Sequence, residues 1–330
     1  MERDSESALQ ETFVSVCIPV YGVEKYIERC ARSLFEQTMK EDIEFIFVND
    51  CTKDKSIEIL ERVLSEYPHR KAQTKIIHHK ENQGLVAARQ TALAHANGNY
   101  IIHCDSDDWV DLNLYETMYN KAIETDADVV CCSIAYEASS GKTYIGEVKT
   151  TENISEYIKL NFVGNFNSLW TKLYKREYVL DANLQIPHEI IMFEDLLRNS
   201  QILPKCSSIA FCPDVYYHYF RGNSNSITQK FSKKNLNQLV KLIELTDNMS
   251  IEGFPEFNYA LKSQMLFAAL KFSGLPAKEF EKLCSKENYQ RVLKVKEIPL
   301  WKRILLVIGG ISYSVANNIV LLLIKIKSLT

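Results

Sequence analysis

Apolar and polar positions follow two alternating rhythms over roughly the first 135 residues. Short, nearly continuous apolar runs stand at Phe13–Pro19, Ile43–Val48, Lys75–His79 (the weakest), Tyr100–Cys104 and Asp128–Ser133. Such runs predict strands buried on both faces. Between them the apolar residues recur at helical spacing. Ile27, Cys30 and Leu34 share one face of a helix predicted over Glu24–Gln37, and Ile57, Leu60, Val63 and Leu64 one face of Asp54–Glu66. Further helices are predicted at Leu85–Ala96, with Asn97-Gly98 as its C-cap, and at Leu112–Glu124. Strand–helix alternation of this kind predicts an α/β fold, a mostly parallel sheet flanked by helices.

Beyond Gly141 the rhythm loosens. Glu189–Leu203 reads as a helix entered through Glu194-Asp195, Ser208–Phe220 as one or two Tyr-rich strands, and Ser232–Cys284 as largely helical, with Leu236, Leu239, Val240 and Ile243 at helical spacing. The segment Ile304–Ile324 has no charged residue and is flanked by Lys302-Arg303 and by Lys325 and Lys327. Its length suits a bilayer span, yet Gly309-Gly310, Ser312, Ser314 and Asn317-Asn318 interrupt it. That favours two short amphipathic segments lying on a membrane surface, held by apolar faces and basic flanks. A single crossing and a helical pair packed on the protein body are the alternatives.

Composition narrows the classes. With 330 residues there is room for one large domain or two ordinary ones, and a net charge of −3 argues against a nucleic-acid partner, which needs a basic face. The nine cysteines show neither CxxC pairs nor zinc-ligand spacing, a pattern of reduced thiols in a cytoplasmic protein. The polar, acidic Met1–Thr12 is unlike a signal peptide.

Ligands of such sheets bind at the carboxyl ends of the strands, and here those ends are polar. The first ends in Pro19-Val20-Tyr21, the second in Asn49-Asp50-Cys51-Thr52, the fourth in Asp105-Ser106-Asp107-Asp108. Neither GxGxxG nor a Walker A loop is present, so dehydrogenase and P-loop readings lack their fingerprints. Crowded carboxylates repel one another unless a cation lies among them, and Mg²⁺ or Mn²⁺ is held by one or two carboxylates plus substrate phosphates. The acidic run therefore reads as a metal gripping a diphosphate, or equally as an acidic cap on the following helix.

The blocks Val14-Ser15-Val16-Cys17-Ile18-Pro19-Val20-Tyr21, Ser33-Leu34-Phe35-Glu36-Gln37-Thr38, Phe47-Val48-Asn49-Asp50-Cys51-Thr52-Lys53-Asp54, Asn82-Gln83-Gly84-Leu85-Val86-Ala87-Ala88-Arg89 and Asp105-Ser106-Asp107-Asp108-Trp109 together resemble the family 2 glycosyltransferases. The likeness is strong over about the first 135 residues and weaker at Leu169–Lys175 and Phe193-Glu194-Asp195. It implies a GT-A fold, a nucleotide-sugar donor (a UDP-sugar), Mg²⁺ or Mn²⁺, and inversion at the anomeric carbon. It places Pro19 and Tyr21 beside the nucleoside, Asp50 on the base, Arg89 on the diphosphate side, Asp107 with Asp105 on the metal, and Asp195 as the base that activates the acceptor.

Two positions depart from the pattern. The paired acids at the end of strand two are Asn49-Asp50, and the Gly that follows is Cys51, which resists backbone conformations open to Gly. Asp108 has no assigned role. His218 reads as a packing residue or a further metal or phosphate ligand, and Trp170 and Lys172 as lining an acceptor cleft or as a core Trp and a solvated Lys.

The resemblance divides the chain into a GT-A catalytic domain over 1–225, a helical extension over 226–299 and a membrane-associating tail over 300–330. The nucleotide-binding part of the first covers about 13–135 and the acceptor part about 136–225. The expected function is sugar transfer to a saccharide or lipid-linked saccharide in surface polysaccharide synthesis, by a cytoplasmic enzyme peripheral on the inner face of the cell membrane. The alternatives are a catalytically silent sugar-nucleotide-binding protein of the same fold, and a nucleotidyltransferase. The latter needs a basic, Gly-rich loop that Pro19–Glu24 lacks.

Overall fold

The structure, a computed structural model, describes residues 13–151, 153–164, 167–182, 186–187, 190, 192–223, 238, 241–242, 244–246, 250–251, 254–271, 277–283, 292–296 and 298–329. Its elements in chain order are β1 (Val14–Val20), α1 (Ile27–Phe35), β2 (Ile43–Asn49), α2 (Ser56–Ser65), β3 (Thr74–His78), α3 (Leu85–Ala94), β4 (Tyr100–His103), β5 (Trp109–Val110), α4 (Leu114–Thr125), β6 (Val129–Glu137), β7 (Thr143–Gly146) and α5 (Ile154–Gly164). There follow β8 (Lys172–Lys175), α6 (Arg176–Asp181), α7 (Glu194–Ile202), β9 (Ile209–Phe220), α8 (Phe257–Ala269), α9 (Ala277–Leu283), α10 (Leu300–Ile311) and α11 (Tyr313–Leu329). Leu236, Leu239, Val240 and Ile243 lie outside the described residues. The chain forms two compact units, one of residues 1–150, 169–188 and 205–223, the other of 151–168, 189–204 and 224–330.

The first unit holds one nine-stranded sheet in the order β3-β2-β1-β4-β8-β6-β9-β5, with β7 paired to β6. The expected alternation appears as parallel pairing of β1 with β2 and β4, and of β2 with β3. β8 then runs antiparallel between β4 and β6, and β6 pairs parallel with β9. Every residue of β1 is buried, the signature of a central strand covered on both faces. Gly98 sits where a Cβ would come within 2.7 Å of the Ser15 backbone nitrogen, so the β4 approach to β1 requires glycine there.

α1 and α2 begin later than the apolar spacing suggests, whereas α3 begins at Leu85 as predicted. α1 starts at Ile27 because Glu24 is engaged elsewhere: its amide donates to Asp54 Oδ2 and its carboxylate accepts from the Lys55 amide. α2 starts at Ser56, whose amide and hydroxyl both donate to Asp54 Oδ1. Gly22 and Val23 amides donate to the hydroxyls of Thr52 and Ser56, lacing the loop after β1 to the loop after β2. Behind α1, the fully buried Arg70 donates to the carbonyls of Phe35, Gln37, Met39 and Lys40, satisfying carbonyls at and beyond the helix C-terminus. The described cysteines are free thiols.

In the second unit, the apolar tail forms two helices that break at Ser312, as its interruptions predict. Leu305, Leu306, Gly309, Tyr313, Ala316 and Val320 are buried. Gly309 faces Phe280 and Leu270, and Asn317 donates to the Leu270 carbonyl, so these two interruptions are packing anchors, while Ser314 and Asn318 are exposed. Another face leaves Leu300, Trp301, Ile304, Ile311 and Val315 exposed. Among the described residues, no helix is long and apolar enough to cross a membrane.

Candidate functional site

Six of the expected site residues lie in the first unit, at or just beyond the carboxyl ends of β1, β2 and β4 and in α3. Pro19 is near the end of β1 and its carbonyl accepts from Ser106 Oγ at 2.7 Å, tying the acidic loop to the first strand. Tyr21, one residue past β1, is exposed. Arg89, buried in α3, donates from Nη2 to Asp105 Oδ1 at 2.6 Å. A buried guanidinium needs such a partner, because an uncompensated charge in the interior is costly.

Asp50 is buried with both oxygens engaged: Oδ1 accepts from the Gln83 amide and lies 2.8 Å from His79 Nδ1, and Oδ2 accepts from the Gly84 amide. One carboxylate thus holds the turn that starts α3 and the side chain after β3. Cys51 adopts the left-handed conformation, φ 57°, that the family's glycine favours. Across the turn, Asn49 Oδ1 accepts from the Thr52 amide.

The three carboxylates of the acidic run are separated in role. Asp105 faces Arg89. Asp107 Oδ2 accepts from Asn223 Nδ2 at 2.7 Å, and among the described residues its Oδ1 takes no hydrogen bond. Asp108 is neither helix cap nor outward ligand. It is fully buried, accepting from the Tyr217 hydroxyl at 2.8 Å and the Phe220 amide at 2.7 Å. Burial, then the charges of Asp107 and Asp105, push its carboxyl well above the usual range. α4 begins at Leu114, and its N-cap is Asn113.

Tyr217 also accepts from the Asp105 amide at 2.9 Å, so one phenol joins the first and last acids of the run. Its ring stacks on Trp170 at 4.2 Å, which makes Trp170 a core residue; Lys172 is buried rather than solvated. The hydroxyl is aimed by an irregularity in β9: pairing with β6 jumps from Cys132–Cys212 to Ser133–Tyr216, looping out three residues beginning with Pro213, which has no amide to donate.

His218 has both ring nitrogens committed, Nδ1 to Glu137 and Nε2 to Asp111, at 2.9 and 3.0 Å. Burial opposes its charge, but those two carboxylates outweigh it and raise the imidazole above its ordinary pKa. Trp109 is sandwiched between His218, stacked at 5.1 Å, and the Arg29 guanidinium, 3.5 Å from the ring centre. Arg29 in turn donates to the Asp107 carbonyl. Sequence reasoning missed Tyr217, Asn223, Arg29 and His79, which reach the acidic loop or Asp50 only through tertiary pairing. The Tyr-rich pattern of 216–219 was the one available hint.

Asp195 belongs to the other unit, in the first turn of α7. Its neighbour Glu194 is buried and paired with Arg198 at 2.8 Å, whereas Asp195 is partly exposed. Phe193 before them has φ 61°, an unusual conformation for a bulky residue and of the kind that clusters at functional sites. Among the described residues, no three His, Cys, Asp or Glu side chains converge as a metal cage.

Several known proteins are similar to this chain. EpsJ of Bacillus subtilis strain 168, described as an uncharacterized glycosyltransferase, is 34% identical over 223 residues, 66% of this chain and 63% of EpsJ. The chain thus spans somewhat under two thirds of that relative. TarS from S. aureus in complex with UDP-GlcNAc superposes with a TM-score of 0.68 at 19% identity, covering 92% of this chain and 89% of that one. The mannosyltransferase PcManGT from Pyrobaculum calidifontis, in complex with GDP-Man and Mn²⁺, gives 0.53 at 15% identity, covering 91% and 87%. Both likenesses bear on the fold, which is GT-A. The model of glycosyl transferase family 2 matches residues 15–191, more than half of the chain, and the protein therefore belongs to that family.

Proposed function

We propose that the protein transfers a sugar from a UDP-sugar to a saccharide acceptor, lipid-linked or free, with inversion, in the synthesis of a surface polysaccharide. The observation that carries this is the gathering of Asp50, Arg89, Asp105 and Asp107 around the carboxyl ends of β1, β2 and β4, with one oxygen of Asp107 left open. The UDP-GlcNAc held by TarS supports the choice of donor. In this reading Pro19 and Tyr21 border the nucleoside. Asp50, with a second lone pair on Oδ2, accepts from the base while it holds the 82–84 turn.

The donor set suits Mg²⁺ or Mn²⁺, which is held by one or two carboxylates with the rest of its shell from phosphates and water, not by a protein cage. Asp107 would hold the ion directly and Asp105 would support it; Mn²⁺ in PcManGT is in keeping with that. A bound cation supplies positive charge against the departing diphosphate. The chain's own groups do the rest. Arg89 pairs with Asp105 and orients it, Asn223 orients Asp107, and the Tyr217–Asp108 pair holds the loop in place. Asp195 accepts the acceptor hydroxyl's proton as its oxygen attacks the anomeric carbon.

The exposed apolar face of α10 and α11, with Lys302, Arg303 and Lys325 nearby, supports a peripheral seat on the inner face of the cell membrane. Replacing Ile304 and Ile311 by Ser should release the protein from vesicles, and unchanged co-sedimentation would refute that seat.

UDP at a hundredfold excess over its Kd should stabilise the protein by about 2.7 kcal/mol, with Mg²⁺ or Mn²⁺ required. Asp107→Ala should abolish that gain, whereas Asp195→Asn should keep it and lose transfer. A metal-independent gain counts against the metal reading, and undiminished transfer by Asp195→Asn removes Asp195 as the base.

A further inference from the structure

The helical second unit carries a cavity of about 190 Å³ that the transfer chemistry does not use. It offers room for about six waters at liquid density. Its polar lining comes from Ser263, Gln264, Lys271 and Lys302, with Phe193 and Phe267 among the apolar walls, and among the described residues no carboxylate lines it. The two ammoniums flank one ring, at 5.5 Å (Lys271) and 5.1 Å (Lys302) from the centre of Phe267. Among the described residues, neither has a carboxylate within ion-pair distance.

Gln264 adds a third donor. Asn161 Nδ2 donates to Asn167 Oδ1, and Asn167 Nδ2 donates to Gln264 Oε1, a relay that orients each amide in turn. Gln264 Nε2 is left as a buried donor with no acceptor among the described residues. A buried donor without a partner carries a desolvation cost that a bound acceptor removes. Burial holds the Lys271 ammonium below its ordinary pKa, and burial together with the charge of Lys271 does the same to Lys302. Lys271 is nonetheless exposed along part of its length, so solutes can reach it.

Among the described residues, two cations and an amide donor with no acid to answer them describe an anion site. We infer that this cavity binds a phosphate group, free or a monoester, between Lys271 and Lys302. A phosphate's double charge matches two lysines, which bind it as point charges. Trp301, next to Lys302 and edge-on to Phe267 at 5.5 Å, is exposed, as is Ile304. These flanking apolar residues favour a phosphate that carries a lipid chain over a free one. That source rests on the membrane reading above; the phosphate site itself does not.

The test uses the full chain and four forms: wild type, Lys271→Gln, Lys302→Gln and the double variant, with Lys302→Arg as a charge-keeping control. Calorimetric titration with inorganic phosphate, against chloride at equal ionic strength, should saturate in the wild type. Each Lys→Gln change should weaken binding about tenfold, and Lys302→Arg should retain it. The substitutions relieve like-charge crowding, so melting temperature without phosphate should not fall. The metal-dependent UDP shift should be unchanged, which separates this site from the donor site. Co-sedimentation with phosphatidylcholine vesicles, with and without phosphatidic acid, distinguishes the sources. Retention that needs phosphatidic acid and is lost in the double variant identifies a lipid phosphate; retention equal in both forms, with inorganic phosphate still lysine-dependent, identifies a free one. Phosphate binding that matches chloride, or that survives in the double variant, overturns the inference.

Discussion

Replacing Tyr217 by Phe isolates the contact on which the acidic loop depends. The ring stays, and with it the stack on Trp170, so little cavity is created. What is lost is one oxygen that donates to Asp108 Oδ2 at 2.8 Å and accepts from the Asp105 amide at 2.9 Å. Asp108 is wholly buried, so its oxygen gains no water in exchange. Each buried group left unsatisfied costs about 1–3 kcal/mol, and removing the phenol's own desolvation returns part of that, for a net loss of about 3 kcal/mol. Urea unfolding should show it as a lower midpoint at unchanged slope. Tyr144→Phe on the exposed β7 is the control, expected within about 0.5 kcal/mol of wild type. The loosened loop should also shrink the metal-dependent UDP shift. If Tyr217→Phe behaves like Tyr144→Phe in both measurements, the phenol does not hold the loop and the reasoning fails.

Two further outcomes follow from the same geometry. Cys51→Gly should stabilise the protein by about 0.5–1 kcal/mol, because relief of a left-handed non-glycine residue exceeds the added freedom of the unfolded chain; a lower urea midpoint would contradict it. Asp128 joins β6 to β8 and β9. Burial raises its carboxyl, but the Ser207 hydroxyl and amide and the Lys175 ammonium outweigh that and bring it down to about 2, from an ordinary 3.8. Its charge therefore contributes about 2 kcal/mol above pH 4, lost as the pH falls through 3 toward 2. The stability gap between wild type and Asp128→Asn should narrow over that window, and a gap independent of pH would refute it.

How far the site was legible depended on chain distance. Asp50, Asp105 and Asp107 closely follow strands, so their place at strand ends could be read from the alternation alone, and Arg89 falls within the helix that the spacing predicts over Leu85–Ala96. Asp108 could not. Its neighbours in sequence suggest a metal or a cap, and only the pairing of β5 with β9 brings the Tyr217 hydroxyl and the Phe220 amide onto it from more than a hundred residues away. His218 is the converse case: a histidine beside tyrosines leaves its role open until Asp111 and Glu137 take both nitrogens. In the tail, the break at Ser312 was written in the apolar pattern, whereas which face packs on Leu270 and Phe280 was not.

The sequence by itself determined the α/β architecture, the order of the first strands and the residues at their ends, because periodicity and turn chemistry act within a few residues. Tertiary structure alone decided how three adjacent acids divide into an Arg-paired support, an open oxygen and a buried clamp. It also decided that two lysines 31 residues apart in sequence share one phenyl ring. Charge state and solvent access depend on what packs around a group, and those neighbours come from chain-distant segments whose approach no local pattern encodes.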